Sequence, residues 1–417
     1  MAKPKLALIP AAQGSKFYSV LPSSGVGDFD FTRSGSATRI NSQGLIETVG
    51  NGVSRLNYPL IDGKVVGCPS HLLENSATNL QVNSEEFDNS LWNKVRASIT
   101  PNDAISPSGL LNADKLVGVS GTNHYIYDGI SVTSGSTYTI SVFAKYIDIE
   151  EFIINVFGQS GSAFFDISNG TVISNIGTVT ESKIENYGNG WYRCSAKFTA
   201  TDTASVNYGF YLNNAINKSV HIWGAQFELG DYVTSYIPTT TSAVTRSAET
   251  ANGSGDASTF NDSEGVLMAE ISALANDGLK RSISINDGSS ANRFILRFGI
   301  TDNTIEVVSV SNNAAVLLSS VTVSNTLISS KVAVKWDSNN YVLYVNGIIE
   351  TSINNLIKPL VLNKLQFNDG NNNFNPFYGN TKQIQYYDSV LTDSELETLT
   401  SWVSFSDMAK GQLYTIE

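Results

Sequence analysis

The sequence predicts an all-β protein with more than one domain, and three observations support this. The chain has 417 residues, too many for one ordinary core, and 41% of them are hydrophobic. Charged residues make up only 15%, whereas aromatic residues reach 10% and glycine occurs 33 times. β-Branched and aromatic side chains suit pleated sheets, and glycine suits tight turns. Apolar and polar residues also alternate along many segments, which is the period of a strand.

Residues 1–85 are predicted to be an irregular attachment or docking segment. Their apolar residues are scattered, and FDFTRSGSATRINSQGLIETVG (29–50) contains one short alternating run before a glycine turn. A segment of this kind cannot bury enough apolar surface to stabilise itself. We therefore expect it to dock on the next domain or on an assembly partner.

Residues 86–245 are predicted to form a β-sandwich or jelly roll, because strands with period-2 alternation follow one another between Gly and Asn turns. In SVHIWGAQFEL (219–229) both faces are apolar, which predicts a central strand. We expect His221 to share a face with Trp223, Ala225 and Phe227, as a hydrogen-bonded packing residue. The predicted inward sets of the other strands are Tyr138, Ile140, Val142, Ala144 and Tyr146; Tyr192, Cys194, Ala196 and Phe198; and Val206, Tyr208, Phe210 and Leu212.

A second sandwich is predicted for 265–405, after a linker or surface-hugging connection at 246–264 that is poor in large apolar residues. Within KVAVKWDSNNYVLYVNGIIETS, a turn at 337–340 and the pair Asn346-Gly347 predict two consecutive hairpins. The segment LTDSELETLTSW predicts a short helix with a capping box formed by Thr392 and Glu395. Residues 406–417 are predicted to be a C-terminal tail.

The charge and cysteine content exclude several classes of protein. The net charge is −12 and Lys and Arg are not clustered, so neither nucleic acid nor an anionic membrane surface is an expected partner. No 18-residue apolar run predicts membrane insertion, and the N-terminus has no recognisable signal peptide. Two distant cysteines, Cys68 and Cys194, predict reduced structural thiols. Folding in a host cytoplasm and release by lysis in a virus particle would fit these features.

Three parts of the chain carry a resemblance to known families. The part from roughly 265 to 402 resembles concanavalin A-like sandwiches of the laminin G or pentraxin type, through the segments VAVKWDSNNYVLYVNG and FYGNTKQIQYYDSVLTDSELETL. YTISVFAKY, GNGWYRCSAKFTAT and IWGAQFELGDYVTSYIPTTTSAVTR resemble the carbohydrate-binding-module-like jelly rolls of phage fibre and spike proteins. FTRSGSATRINSQGLIE, RLNYP and HLLENSATNL resemble the segment that precedes such domains. The resemblance implies a virion protein with lectin-like modules.

No catalytic site is predicted. The three histidines, His71, His124 and His221, are dispersed, and no metalloprotease, nucleophile-elbow or phosphate-loop motif occurs. A retaining glycosidase needs two carboxyl groups about 5–5.5 Å apart. The C-terminal strands carry isolated acids, and the dense pair Glu395 and Glu397 lies on the helix that Glu395 caps.

The candidate glycan-binding residues are Trp191 and Arg193, which are two residues apart and both lie on the outward side of one predicted strand. Sugar rings stack on exposed aromatic faces while their hydroxyls seek polar groups. Alternatively, Trp191 packs against the second sheet or a neighbouring domain, with Arg193 stacked on a ring. The Asn-rich loop NDGNNNFNPFYGN (368–380) is a second candidate, unless its Phe377 and Tyr378 pack in the core.

No cofactor is predicted. The loop acids Asp287 and Asp302 could hold calcium, as some laminin G-type modules do, but they form no recognisable ligand set. Alternatively, Asp287 and Asp302 are ordinary solvated turn residues.

These observations favour a non-enzymatic bacteriophage tail or head fibre or decoration protein. It would adhere to host surface glycans or to neighbouring virion proteins, and many copies would raise the effective affinity. We expect a homo-oligomer, with a trimer as one option, although no heptad segment enforces it. The alternatives are a purely structural virion connector, a glycan-cleaving depolymerase and a secreted bacterial adhesin.

Overall fold

The computed structural model describes residues 2–213, 215–337, 340–354, 358–370, 374–404 and 406–407, apart from the side chains of 11–13. The described residues form antiparallel sheets arranged as two sandwiches, which confirms the predicted fold class. In this part of the chain, no helix has the length and apolar character needed to cross a membrane. Most of the tail predicted at 406–417 lies outside the described residues.

The strands are numbered in chain order. The N-terminal segment contains β1 (Leu6–Gln13), β2 (Lys16–Leu21), β3 (Phe29–Thr32), β4 (Ala37–Ile40), β5 (Ile46–Val49), β6 (Leu56–Asn57), β7 (Leu60–Ile61), β8 (Lys64–Val65), β9 (Ser70–Leu73) and β10 (Ala77–Asn79). The central region contains β11 (Asn93–Val95), β12 (Ala97–Ile105), β13 (Leu111–Gly118), β14 (His124–Val132), β15 (Thr137–Tyr146), β16 (Glu151–Val156), β17 (Gly161–Asp166), β18 (Thr171–Ile176), β19 (Val179–Gly188), β20 (Trp191–Thr199), β21 (Ala204–Leu212) and β22 (Ser219–Leu229), with a 3₁₀ turn at Phe157–Gln159. The remainder contains β23 (Val244–Arg246), β24 (Thr250–Asn252), β25 (Gly265–Ala273), β26 (Arg281–Asn286), β27 (Arg293–Phe298), β28 (Thr304–Ser311), β29 (Ala314–Thr322), β30 (Ser330–Trp336), β31 (Asn340–Val345), β32 (Ile348–Asn354), β33 (Lys364–Gln366), β34 (Gly379–Tyr387) and the helix α1 (Asp393–Thr400).

The first sandwich packs two sheets face to face. Sheet I has the order β11-β14-β21-β16-β17-β18, and sheet II has the order β12-β13-β22-β15-β20-β19. Their inner faces form one apolar core, and the predicted alternation of β15, β20 and β21 places the expected side chains in it or against it. The exception is Tyr146 at the end of β15, whose side chain is 42% exposed. Cys194 is buried in this core and Cys68 is exposed, and neither forms a disulfide.

A bulge in β22 changes the face on which its residues lie. Gly224 has φ +66°, and the pairing of β22 with β15 shifts register at this point. Trp223 therefore points to the outer side of sheet II, while Ala225 and Phe227 point into the core. The prediction that His221 shares one face with all three is wrong, because one extra residue in a strand reverses the alternation beyond it. His221 Nε2 lies 2.9 Å from a carboxylate oxygen of Asp103.

The second sandwich packs sheet III, β29-β28-β27-β26-β33, on a larger sheet IV. Sheet IV includes the two predicted hairpins, in which β30 pairs with β31 and β31 with β32. Asn346 and Gly347 have φ of 50° and 85°, as a type I′ turn requires. Of the turn predicted at 337–340, residues 338–339 lie outside the described residues. Helix α1 has the predicted capping box between Thr392 and Glu395.

The N-terminal segment docks on its own chain. Sheet IV continues through β24-β3-β2-β1-β34-β25-β30-β31-β32, so β1 pairs with β34 from the other end of the sequence. Strand β9 also pairs with β34, and the connection between the sandwiches contributes β23 and β24, which pair with β10 and β3. The sequence suggests an irregular segment because its strands, β1 apart, have six residues or fewer. In addition, β1, β3, β9 and β10 have partners far away in the sequence.

A buried cluster of opposite charges ties this segment to the rest of the chain. It consists of Arg33, Arg55, Glu74, Arg246 and Glu249, and we call it the ion cluster. Glu249 accepts hydrogen bonds from Arg33 at 2.8 Å and from Nε of Arg55 at 2.9 Å. Glu74 lies 2.7 Å from Arg55 and 3.2 Å from Arg246. Burial alone would raise the pKa of Glu74, but Arg246 and Arg55 lower it to about 2.

The ion cluster also reaches the end of the first sandwich. The backbone N–H of Ser235 donates to Glu74 at 2.9 Å, and the Ser235 hydroxyl donates to the same carboxylate at 2.6 Å. Arg55 donates to the carbonyl oxygen of Thr38 at 2.9 Å. The N-terminal segment, residues 234–235 and the inter-sandwich connection thus share one buried polar network.

Replacing Arg55 by methionine should lower the free energy of unfolding by roughly 3–5 kcal/mol, because Glu249 and Glu74 would lose a buried partner. Urea denaturation measures this change. Arg39→Met is the matched control, since Arg39 forms a more exposed pair with Glu47 at 3.1 Å and should cost at most about 1 kcal/mol. Equal losses in the two variants would contradict the importance assigned to the ion cluster.

His71 on β9 should make stability depend on pH. Its ring is 1% exposed and stacks on Phe17 with centroids 3.9 Å apart, and burial lowers its pKa to about 4. The unfolded chain, with an ordinary histidine pKa near 6.5, binds the proton more tightly, so stability should fall as the pH drops from 6.5 to 4. The loss should be about 3 kcal/mol. Urea denaturation at several pH values between 6.5 and 4 measures this loss. The free energy of unfolding should change less with pH in His71→Gln than in the unmodified protein, and an equal change would contradict the role assigned to His71.

Candidate functional site

The structure places Trp191 and Arg193 in the interior. Trp191 is 1% exposed and its indole N–H donates to the carbonyl oxygen of Ile105 at 3.0 Å. Arg193 is 3% exposed, donates to the carbonyl oxygen of Thr234 at 2.8 Å, and lies over the ring of Phe143 at 5.3 Å. This corrects the expected exposure of the pair. The alternative, a packed Trp191 with Arg193 stacked on a ring, describes what the structure contains.

Trp191 and Arg193 are buried because other segments of the chain cover the outer face of sheet II. Ile46 from the N-terminal segment and Tyr236 from the chain after β22 pack on this face. They form an apolar cluster with Ala113, Phe143, Trp191 and Trp223. A strand's alternation shows which residues lie on the outer face, but it does not show whether another segment covers that face.

The Asn-rich loop and the loop acids do not form an evident ligand site. Phe377 is 1% exposed in the core of the second sandwich and Tyr378 packs against it, while residues 371–373 lie outside the described residues. The carboxylate of Asp287 accepts hydrogen bonds within its own turn, from Ser289 at 2.7 and 2.8 Å and from Asn292 at 3.0 Å. Asp302 is an exposed turn residue. Among the described residues, no group of three His, Cys, Asp or Glu side chains is placed to hold a metal ion.

The outer face of sheet I is different, because four aromatic rings meet on it. They belong to Tyr125, Tyr127, Phe157 and Tyr211, all half-buried, and we call them the tyrosine face. Tyr125 is central: its ring stacks on Tyr211 at 5.6 Å with an interplanar angle of 13°. It also lies 5.0 Å from the Phe157 ring and 5.9 Å from the Tyr127 ring.

Local sequence explains this arrangement. In β14, His124 and Ile126 point inward, so Tyr125 and Tyr127 point outward. Tyr211 on β21 lies directly opposite Tyr125, and Gly209 lies opposite Tyr127. Gly209 allows β21 to approach β14 closely, since a Cβ there would lie 2.1 Å from the carbonyl oxygen of Ile126.

Amide side chains flank the tyrosine face. Asn93 on β11 lies opposite Tyr127, and Asn155 on β16 lies opposite Gly209, so both share the outer face. Asn155 donates to the hydroxyl of Ser162 at 2.9 Å. The hydroxyl of Tyr211 donates to Asn123. An aromatic surface bordered by amides can stack against a sugar ring and hydrogen-bond to its hydroxyls.

The sequence contained a signal for this surface that the predicted site did not use. In HYIYDG (124–129) and NYGFYL (207–212) the alternation that assigns the core residues also puts Tyr125, Tyr127 and Tyr211 on the opposite side. Phe157 could not be predicted, because its ring reaches the cluster from a 3₁₀ turn beyond β16.

A second candidate is a cleft of about 880 Å³ between the two sandwiches. One wall is β19, with Lys183 and Tyr187, and the other includes Leu327 and Asn380. Its charges are already paired in part: Lys183 donates to Glu185 at 2.6 Å. Tyr187 is also engaged, with its ring edge-on to Phe143 at 4.9 Å. The cleft is large enough for a ligand, but these groups are less available than those of the tyrosine face.

Because Trp191 is a core residue, Trp191→Ala should lower the free energy of unfolding by roughly 3–5 kcal/mol. Tyr125→Ala removes a half-buried ring from an outer face and should cost less than half as much. Chemical denaturation of both variants measures the difference. A stability of Trp191→Ala close to that of the unmodified protein would mean that the Trp191 side chain is not packed as described.

No protein-family model matches this chain, and no curated protein matches it. Solved structures with similar parts include the CBM40 module of the Ruminococcus gnavus IT-sialidase bound to α2,3-sialyllactose, with 18% identity, a TM-score of 0.31, and coverage of 36% of this chain and 94% of that chain. A SAP-like pentraxin from Limulus polyphemus aligns with 13% identity and a TM-score of 0.29, over 34% and 71% of the two chains. Domain 4 of the arabinanase AbnA from Geobacillus stearothermophilus, in complex with arabinotriose, aligns with 12% identity and a TM-score of 0.31, over 42% and 84%. Likenesses this weak establish neither a family nor a ligand for this chain.

Proposed function

We propose that this protein is a non-enzymatic, glycan-binding surface protein of a bacteriophage particle, and that the tyrosine face is its binding surface. The observation that carries the proposal is the contact of four aromatic rings on a sheet face that the N-terminal segment leaves uncovered. A sheet face that no other segment covers normally carries polar side chains. A cluster of aromatic rings on such a face therefore favours a binding role.

The chemistry of the face suits a saccharide. The C–H side of a pyranose ring stacks on Tyr125 or Tyr127, and the amides of Asn93 and Asn155 lie on either side to meet hydroxyl groups. A shallow surface of this kind gives weak binding at one site. Many copies on a particle, or a homo-oligomer such as a trimer, would convert it into avidity.

One feature of sheet I supports an alternative function, that of a glycan-cleaving depolymerase. Glu151 and Asp166 lie directly opposite each other on the outer face of sheet I, so their Cβ atoms are about 4.5–5.5 Å apart. Two neighbouring carboxyl groups are what a retaining glycosidase uses. Asp166, however, accepts hydrogen bonds from Asn169 and Ser168 of its own turn, which lower its pKa to about 2. Glu151 accepts a hydrogen bond from Asn213 at 3.1 Å. A general acid needs a raised pKa, so Asp166 is unsuited to that role.

The virion assignment rests on the resemblance of the N-terminal and central segments to phage structural proteins. The protein would be made in the host cytoplasm and carried on the particle, in contact with other virion proteins. Its alternative is a structural connector that binds no glycan. The N-terminal segment would suit that role as well, because the ion cluster ties it to the end of the first sandwich and β1 and β9 pair with β34 of the second. Immunogold labelling of particles tests the location.

Tyr125→Ala and Tyr127→Ala should each weaken glycan binding about tenfold or more, since a lost stacking contact of about 1.4 kcal/mol has that effect. The full-length protein, multimerised on beads, is screened on a glycan array, and affinities for the positive glycans are then measured for each variant. Tyr146→Ala is the matched control, because Tyr146 lies in the same sandwich, is 42% exposed and is outside the tyrosine face.

Absence of binding to every glycan by the multimerised protein would refute adhesion and favour the connector. Equal losses in Tyr146→Ala and Tyr125→Ala would refute the assigned surface. If the protein releases new reducing ends from host polysaccharide and Glu151→Gln abolishes this release, the function is hydrolysis and not adhesion.

A further inference from the structure

One corner of the tyrosine face differs from the rest in carrying a cation. Arg96 follows β11 at the point where the chain crosses from sheet I to sheet II, and Asn123 ends the turn before β14. Together with the hydroxyl of Tyr211 they form what we call the donor corner. The corner adjoins the ring pair at the centre of the tyrosine face, because Tyr211 stacks on Tyr125.

Arg96 is held in this position by an uncommon backbone conformation. Its φ is 48°, in the left-handed region that residues other than glycine and asparagine seldom adopt. Its side chain reaches the turn before β14, where Nη1 donates to the carbonyl oxygen of Thr122 at 2.6 Å. Gly121 makes room for it, since a Cβ there would lie 3.2 Å from Cδ of Arg96. A conformation of this cost persists where the surroundings fix it.

The corner has donors to spare. A guanidinium has five N–H groups, and within the described residues the side chain of Arg96 forms one hydrogen bond, to Thr122, and no ion pair. The Oδ1 atom of Asn123 accepts from Tyr211, which leaves the amide N–H groups of Asn123. The guanidinium lies beside this pair, because it bonds to the carbonyl oxygen of the residue before Asn123. Its charge accordingly opposes the rise that burial gives to the pKa of Tyr211.

We propose that the donor corner binds the carboxylate of an acidic sugar residue whose ring stacks on the tyrosine face. A carboxylate matches the fork of a guanidinium, with which it forms two parallel hydrogen bonds, and the Asn123 amide supplies a third donor. This deepens the proposed function and rests on it. The recognition is local, because a chain with a net charge of −12 does not attract anions at long range.

The probes are oligogalacturonate and hyaluronan oligosaccharides, each compared with its carboxyl-reduced form, and a sulfated neutral oligosaccharide. The full-length protein should bind one of the uronate glycans at least tenfold more tightly than the reduced form. Arg96→Gln should lose this preference while it keeps binding to the reduced form. Arg96→Lys, which retains the charge without the fork, should keep part of the preference.

The outcomes separate this inference from the proposed function. Equal binding of uronate and reduced forms, binding of neutral glycans alone, or a preference for the sulfated probe would overturn the carboxylate site and leave the glycan-binding surface in place. Loss of both forms in Arg96→Gln, with a native-like denaturation midpoint, would make Arg96 a general contact residue and also overturn it. No binding of any glycan would overturn both proposals.

Discussion

The ion cluster determines how the rest of this molecule is arranged. Five charged side chains, three from the N-terminal segment and two from the inter-sandwich connection, are withdrawn from water together, with three positive charges and two negative ones. Ser235, at the end of the first sandwich, hydrogen-bonds to one of the carboxylates. Desolvation of each charge is expensive, and the cost is offset only when every partner is present. The N-terminal segment, the end of the first sandwich and the inter-sandwich connection are therefore either assembled together or not stably assembled at all.

This constraint makes the two outer faces of the first sandwich unequal. The ion cluster holds the N-terminal segment on the side of sheet II, where Ile46 and Tyr236 seal Trp191 inside. Sheet I faces away from this packing, and the rings of the tyrosine face remain accessible. Two faces with similar sequence patterns thus differ in their surroundings, because one is used for intramolecular packing and the other is partly exposed to solvent.

Local pattern predicted much of the fold. The alternation of β15, β20 and β21, the Asn346-Gly347 hairpin and the capping box of α1 depend on neighbouring residues, and each was predictable for that reason. The pairing of β1 with β34 and the cover over Trp191 depend on segments far apart in sequence, which periodicity cannot detect. The bulge at Gly224 lies between these cases, since a glycine within a strand signals irregularity without giving its direction.

The pairing of β1 with β34 also bears on how the chain folds. Leu6 lies opposite Tyr386, so one edge of β1 has no partner until β34, hundreds of residues later in the sequence, has been synthesised. Contacts between residues this distant in sequence slow folding, because a very long loop must close before they form. During that interval β1 and β2 would present an unpaired edge, which is the kind of surface that aggregates or recruits chaperones. Sheet IV would then be complete only once β34 has been synthesised.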